Sequence, residues 1–128
     1  MNQTNQKTVL VAVNDIFFYT KVRDALKPHG YVLERARVQD DVREKTATVH
    51  PAAAVLNMND PSVDGLKALE ALRANVSTKN LPVLAFANHE EVDTWNRAKA
   101  LGVTKIVSRN EFSARTKELV EEVMLAVQ

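Results

Sequence analysis

The sequence predicts one α/β domain whose five-stranded parallel sheet is doubly wound, with helices on both faces in a (βα)5 order. Two apolar runs, residues 8–13 and 52–56, lack alternation of polar and apolar residues, which is typical of strands buried on both faces. Segments with helical spacing of apolar residues alternate with the predicted strands, and the connections are short. A length of 128 residues is that of one ordinary domain.

Turn residues and hydrophobic spacing set the order of the elements. The side chain of Asp15 can cap the first helix, and Pro28 with Gly30 ends it. Gly102 closes a later helix, where a left-handed residue commonly terminates helices. The predicted strands cover residues 8–13, 31–36, 52–56, 81–86 and 103–107. The predicted helices cover residues 16–27, 39–49, 65–75, 88–101 and 119–127.

Composition excludes several classes of function. The net charge is +1, so no global field would attract nucleic acid or an anionic membrane. Cysteine is absent, which excludes thiolate zinc sites and thiol catalysis and fits a reducing cytoplasm. No apolar run approaches the ~18 residues that a membrane span needs. Residues 1–7 are polar and predict a flexible tail, which leaves residues 8–128 as the single domain.

Three fragments at the ends of predicted elements resemble the receiver domain of bacterial two-component response regulators. They are the segment 57–65, which ends Asp-Pro-Ser-Val-Asp-Gly, the strand start at 81–83 and the segment 98–103. Their order and spacing match that family from about residue 7 onward. The resemblance implies the flavodoxin-like receiver fold for the whole domain.

The chemical positions of the family are changed in this sequence. Receivers hold magnesium with an acidic pair after the first strand and accept a phosphoryl group on an aspartate that ends the third. A threonine or serine ends their fourth strand, and a lysine-proline pair ends the fifth. By this resemblance the degenerate metal site comprises Asn14, Asp15 and Asn59. The degenerate phosphorylation site comprises Asn57, Ala87 and Arg109, which is followed by Asn110.

These changes remove the expected chemistry. An acyl phosphate forms on a carboxylate nucleophile, which the amide of Asn57 cannot replace. Magnesium prefers several hard oxygen ligands, so we expect at best weak binding through Asp15, and neither a cofactor nor enzymatic activity. The guanidinium of Arg109 could bind Asp15 and the oxygen of Asn57 as an internal substitute for the metal. Without a proline at position 110, the segment after Arg109 is expected to differ from the family's loop.

The sequence therefore predicts a pseudo-receiver that works as a protein interaction module without phosphorylation at Asn57. A first alternative is an active receiver that uses Asp60 or Asp15 as its phosphoacceptor. Against it, Asp60 and Asp64 are expected to lie in a solvated turn and to cap the following helix. A second alternative is a sensor of a small anion beside Asn57 and Arg109, although we favour a polar core with satisfied hydrogen bonds.

Aromatic residues near the predicted site are candidates either for the core or for contacts with partners. Phe18 fits the core, while its neighbours either shield the sheet edge or form a docking surface, because receivers use the first helix to meet phosphotransfer partners. Trp95 is either a core residue or a partly exposed anchor. The predicted interaction surface comprises Phe17, Tyr19, Trp95, Lys105 and Ile106. The expected partners are signalling proteins such as a histidine kinase or a phosphotransfer protein, and by resemblance a second copy bound through the fourth helix, fifth strand and last helix.

Overall fold

A computed structural model of the chain describes residues 5–126 and confirms the predicted fold class. Its strands are β1 (Asn5–Ala12), β2 (Val32–Arg35), β3 (Pro51–Asn57), β4 (Val83–Ala87) and β5 (Lys105–Ser108). Its helices are α1 (Ile16–Leu26), α2 (Gln39–Val49), α3 (Gly65–Ala74), α4 (Val92–Ala100), α5 (Arg109–Ala114) and α6 (Thr116–Ala126), with a short 3-10 turn at Lys27–His29. All strand pairs are parallel, in the order β2-β1-β3-β4-β5.

The sheet separates two apolar cores, which explains the unbroken apolar runs. On one face α1, α5 and α6 cover a cluster that includes Val9, Phe86 and Phe112. On the other face α2, α3 and α4 cover a cluster that includes Leu10 and Leu56. Successive side chains of a strand point to opposite faces, so both faces of the central strands must be apolar. Within residues 5–126, no helix is long and apolar enough to cross a membrane.

The first strand begins earlier than its side chains predict. It starts at Asn5, where the sequence predicted a start at Thr8, so the predicted tail over residues 1–7 is wrong at its last three positions. Asn5 pairs with Pro51 of β3 across an irregular register. Backbone pairing with a neighbouring strand does not require apolar side chains, and polar residues can therefore extend a strand. Residues 1–4 of the predicted tail lie outside the described residues.

The C-terminal part contains two helices where one was predicted. The side chain of Ser108 accepts a hydrogen bond of 3.1 Å from the backbone N–H of Glu111, which caps α5 directly after β5. The backbone leaves helical geometry at Arg115, with φ −134° and ψ 34°, and α6 follows. Serine followed three residues later by glutamate is a known signature of a helix start, so the sequence did contain this signal. Val127, the last residue of the predicted helix, lies outside the described residues.

Candidate functional site

The middle of the sheet's carboxyl edge is formed by Asn57, the last residue of β3. Its side chain is buried, with 5% of its surface exposed. Its Oδ1 accepts a hydrogen bond of 2.9 Å from the backbone N–H of Asn59, and the next N–H, that of Met58, donates to the carbonyl of Phe86 at 3.0 Å. Ligands of open α/β sheets bind at this edge. Here the central side chain is an amide whose oxygen already has a partner within the chain.

Asp60 lies in the loop after β3 and is bonded to the end of β1. Its Oδ2 accepts a hydrogen bond of 2.6 Å from the backbone N–H of Asn14. Its Oδ1 accepts hydrogen bonds from the backbone N–H groups of Ser62 and Val63 at 2.8 and 3.1 Å. The predicted role of Asp60 as a cap of the following helix is therefore wrong. Asp64 alone caps α3, through a 3.1 Å hydrogen bond from the N–H of Lys67.

Asn14 connects Asp60 to an arginine that sequence reasoning missed. The Nδ2 of Asn14 donates to the carbonyl of Ala36 at 3.1 Å and to Asp60 Oδ1 at 3.4 Å. Its Oδ1 accepts a 3.2 Å hydrogen bond from Nε of Arg35, the last residue of β2. The guanidinium of Arg35 lies over the ring of Tyr19, 4.1 Å from its centre. A basic residue at the carboxyl end of a predicted strand was the available signal, because such ends meet at one edge.

The predicted pairing of Arg109 with Asp15 and Asn57 is wrong. The Oδ1 of Asp15 accepts hydrogen bonds from the backbone N–H groups of Phe17 and Phe18, at 2.9 and 3.2 Å, and so caps α1 as predicted. Arg109 is exposed, and its guanidinium lies 4.9 Å from the ring centre of Phe18. The reason is that α5 begins at Arg109 itself, which directs this residue over α1.

Asn59 and Ala87 are the remaining residues of the predicted metal and phosphorylation sites. Asn59 joins two loops, because its Nδ2 donates to Glu91 Oε1 at 2.6 Å and its Oδ1 accepts from the backbone N–H of Asn88 at 3.1 Å. Ala87 ends β4 and is fully buried. Its methyl group supplies no hydroxyl beside Asn57. The structure thus brings Asn14, Asn57 and Ala87 to one edge, while Asn59 bonds away from them.

The oxygens at this edge do not fit a magnesium ion. Magnesium needs near-octahedral hard oxygen ligands. The Oδ1 atoms of Asp15 and Asn57 already accept backbone N–H groups, and that of Asn14 accepts a guanidinium. Nowhere in the described part of the chain do three or more acidic or histidine side chains form a group that could hold a metal ion. The edge is instead a hydrogen-bonded polar cluster with its own positive charge, Arg35.

The predicted interaction residues divide into exposed and buried ones. On α1, Phe17 is 57% exposed beside Ile16, which is 72% exposed, whereas Tyr19 is half-buried under Arg35. Trp95 on α4 is half-buried against the second core, and its Nε1 donates to the carbonyl of Asn88 at 3.0 Å.

The strand β5 contributes less free surface than predicted. Ile106 is buried, so it belongs to the core and not to a surface. Lys105 lies 3.4 Å from Glu122 of α6. A hydrogen bond from Arg115, together with Lys105, holds the pKa of the Glu122 carboxyl below its usual range. The charges of Lys105, Arg115 and Glu122 are thus paired within the chain.

Several solved structures that match this fold are receiver domains. The receiver domain of a signal transduction histidine kinase from Syntrophus aciditrophicus matches with a TM-score of 0.82 at 14% identity, over 95% of this chain and 92% of that one. The receiver domain of NtrX from Brucella abortus matches with a TM-score of 0.80 at 18% identity, over 91% and 98%.

A third match has a metal at its site. It is the receiver domain of a sensor histidine kinase from Pseudomonas aeruginosa, with a magnesium ion coordinated in its active-site cleft, at a TM-score of 0.79 and 13% identity, over 93% and 98% of the two chains. No family model matches the sequence, and no curated protein matches it. The chain therefore has the fold of response regulator receiver domains.

Proposed function

We propose that the chain is a receiver-like domain of two-component signalling that accepts no phosphoryl group at Asn57 and acts by binding other proteins. One observation carries the proposal. The position that ends the central strand holds an amide, and its oxygen is bonded to the backbone of Asn59 at 2.9 Å. The receiver fold of the chain supports the signalling context, since the similar structures include receiver domains of histidine kinases.

The remaining carboxylates of the site are poor substitutes for the missing one. A phosphoacceptor needs a free nucleophilic oxygen and a cation that neutralises the developing charge. Both oxygens of Asp60 accept backbone hydrogen bonds, and the Oδ1 of Asp15 accepts two. The cluster also leaves little reason to propose a small-anion sensor, because Arg35 is bonded to Asn14 and Arg109 lies over Phe18.

The partners are proposed to be cytoplasmic signalling proteins, a histidine kinase or a phosphotransfer protein among them, and the domain is proposed to have no enzymatic activity. Exposed apolar side chains on the first turn of α1, Ile16 and Phe17, support a docking surface there. Docking sites on proteins commonly combine such residues with a polar rim.

A homodimer through α4, β5 and α6 remains a prediction. It is supported by the apolar surface on α4, where Val92 is 62% exposed and Trp95 is half-buried. Light scattering coupled to size-exclusion chromatography should show a mass that rises towards the dimer with protein concentration. A constant monomer mass up to high concentration would contradict this face as an interface.

Exposure to a small phosphodonor tests the proposed function. Intact-mass spectrometry after incubation with acetyl phosphate and magnesium should show no adduct on the wild-type chain, because no free carboxylate ends β3. Asn57→Asp is the matched variant, since it restores one carboxylate at the same place. An acid-labile adduct on the wild-type chain would contradict the proposal. Peptide mapping would then show whether Asp60 or Asp15 carries the adduct.

A further inference from the structure

We infer that Arg35 is the resident cation of the carboxyl edge and the residue that keeps divalent cations out of it. The inference concerns the same site as the proposed function but does not depend on any partner. The sequence predicted an arginine in the place of the metal and identified it as Arg109. The structure assigns this position to Arg35, from a different strand.

Two contacts fix the guanidinium of Arg35. Its Nε donates to Asn14 Oδ1 at 3.2 Å, and its Cζ lies over the ring of Tyr19, 4.1 Å from the ring centre. Arg35 also sits in the sheet itself, where it pairs in parallel register with Val11 of β1. A guanidinium that is both hydrogen-bonded and stacked loses much of its freedom, so its charge stays at one place. A flexible surface lysine would not supply such a fixed charge.

The charge of Arg35 is linked to Asp60 through one amide. The oxygen of the Asn14 side chain accepts from the cation, while its Nδ2 and its backbone N–H donate to the carboxylate at 3.4 and 2.6 Å. Hydrogen bonds that run in one direction polarise each other. The half-buried carboxylate of Asp60 is therefore occupied by donors within the chain, and a metal ion would have to compete with these hydrogen bonds.

A divalent cation at this edge would lie near the charge of Arg35, which reaches the edge through Asn14. Any ion held by Asp15 and the end of β3 would lie beside Asn14, whose oxygen is in contact with the guanidinium. Repulsion between a double and a single positive charge a few ångströms apart is large enough to weaken binding about tenfold or more. Removal of carboxylates is thus one obstacle to metal binding, and the presence of Arg35 is a second.

The test is magnesium binding in a background that supplies a second carboxylate. Magnesium chloride is titrated into the full chain carrying Asn57→Asp. Binding is monitored through the amide NMR signals of residues 15 and 57. Adding Arg35→Gln should tighten magnesium binding about tenfold or more. Arg37→Gln is the matched control, because Arg37 is exposed, lies two residues away and changes the net charge equally. Equal affinities of the two double variants would overturn the inference.

The lysine variants keep the test decisive if Arg35→Gln fails to fold. Lysine retains a positive charge but lacks Nε and the planar group that stacks on Tyr19. In the same background Arg35→Lys should bind magnesium several-fold tighter than Arg37→Lys, and equal affinities would count against Arg35. These titrations use no phosphodonor. A wild-type chain that takes up label would refute the proposed function, whereas a null difference between positions 35 and 37 would refute only this inference.

Discussion

Replacing Phe112 by alanine is expected to lower the free energy of unfolding by about 3 to 5 kcal/mol. Phe112 is fully buried and stacks on Phe86, with ring centres 4.1 Å apart and planes 18° from parallel. Phe18 lies against the same pair, 6.4 Å from Phe112. The variant loses the transfer energy of the ring and leaves a cavity under α5. Equilibrium unfolding in urea, followed by far-ultraviolet circular dichroism, measures the loss.

The same substitution at Phe17 is the control. It removes the same atoms from the surface, since Phe17 is 57% exposed and contacts Phe18 edge-on at 5.1 Å. Its expected cost is below about 1 kcal/mol, because few of its contacts are desolvated. Equal losses for the two variants would show that α5 does not pack as described. The effects on partner binding should rank the other way. Replacing Phe17 should weaken binding more than replacing Phe112, since Phe17 and not Phe112 lies on the proposed docking surface.

The fold could be predicted because burial on both faces of a parallel sheet requires unbroken apolar runs in its central strands. Residues such as Val9, Leu10 and Val11 are completely buried on alternating faces, and only an unbroken apolar run satisfies both cores. The start of β1 at Asn5 has no such apolar run, because the strand pairs there through its backbone. The start of α5 did leave a signal, at Ser108 and Glu111, although the spacing of apolar residues predicts no element between residues 107 and 119.

The candidate site could be predicted only in part. Its centre followed from one rule, since Asn57 ends a buried strand and strand ends meet at the edge. Its hydrogen bonds could not be predicted in the same way, because they join residues far apart in sequence. Arg35 and Asn14 are separated by 21 positions, and Asn14 and Asp60 by 46. Which side chain meets which in such a cluster depends on loop geometry that apolar periodicity does not encode.

The two arginines near the site illustrate the limit of a family comparison. Arg109 matches the family's cation by position, yet its guanidinium lies over Phe18. Arg35 matches no family position named by the resemblance, yet it contacts Asn14 at 3.2 Å. The positive charge that contacts Asn14 comes from the end of β2, and Arg109 on α5 does not supply it. The hydrogen bonds at this edge must therefore be read from the structure and not carried over from a motif.

Replacing Asp60 by alanine is expected to cost about 2 to 3 kcal/mol of unfolding free energy. Its carboxylate accepts from three backbone N–H groups, those of Asn14, Ser62 and Val63, and the first of these bonds spans from β1 to the loop after β3. Water can replace the carboxylate at exposed Ser62 but less well at the half-buried Asn14. Urea unfolding of Asp60→Ala measures the cost.

Two further variants separate a structural role of Asp60 from a chemical one. Asp64→Ala removes a single capping bond, from the N–H of Lys67, and should cost only about 1 kcal/mol. Asp60→Asn keeps the shape but has one acceptor oxygen for three backbone donors and the Nδ2 of Asn14, so its loss should fall between those of the two alanine variants. If Asp60 were instead a free phosphoacceptor, Asp60→Asn would leave stability unchanged and abolish labelling by acetyl phosphate. The three backbone hydrogen bonds to Asp60 oppose that outcome, because an oxygen that holds the loop in place is not free to attack phosphorus.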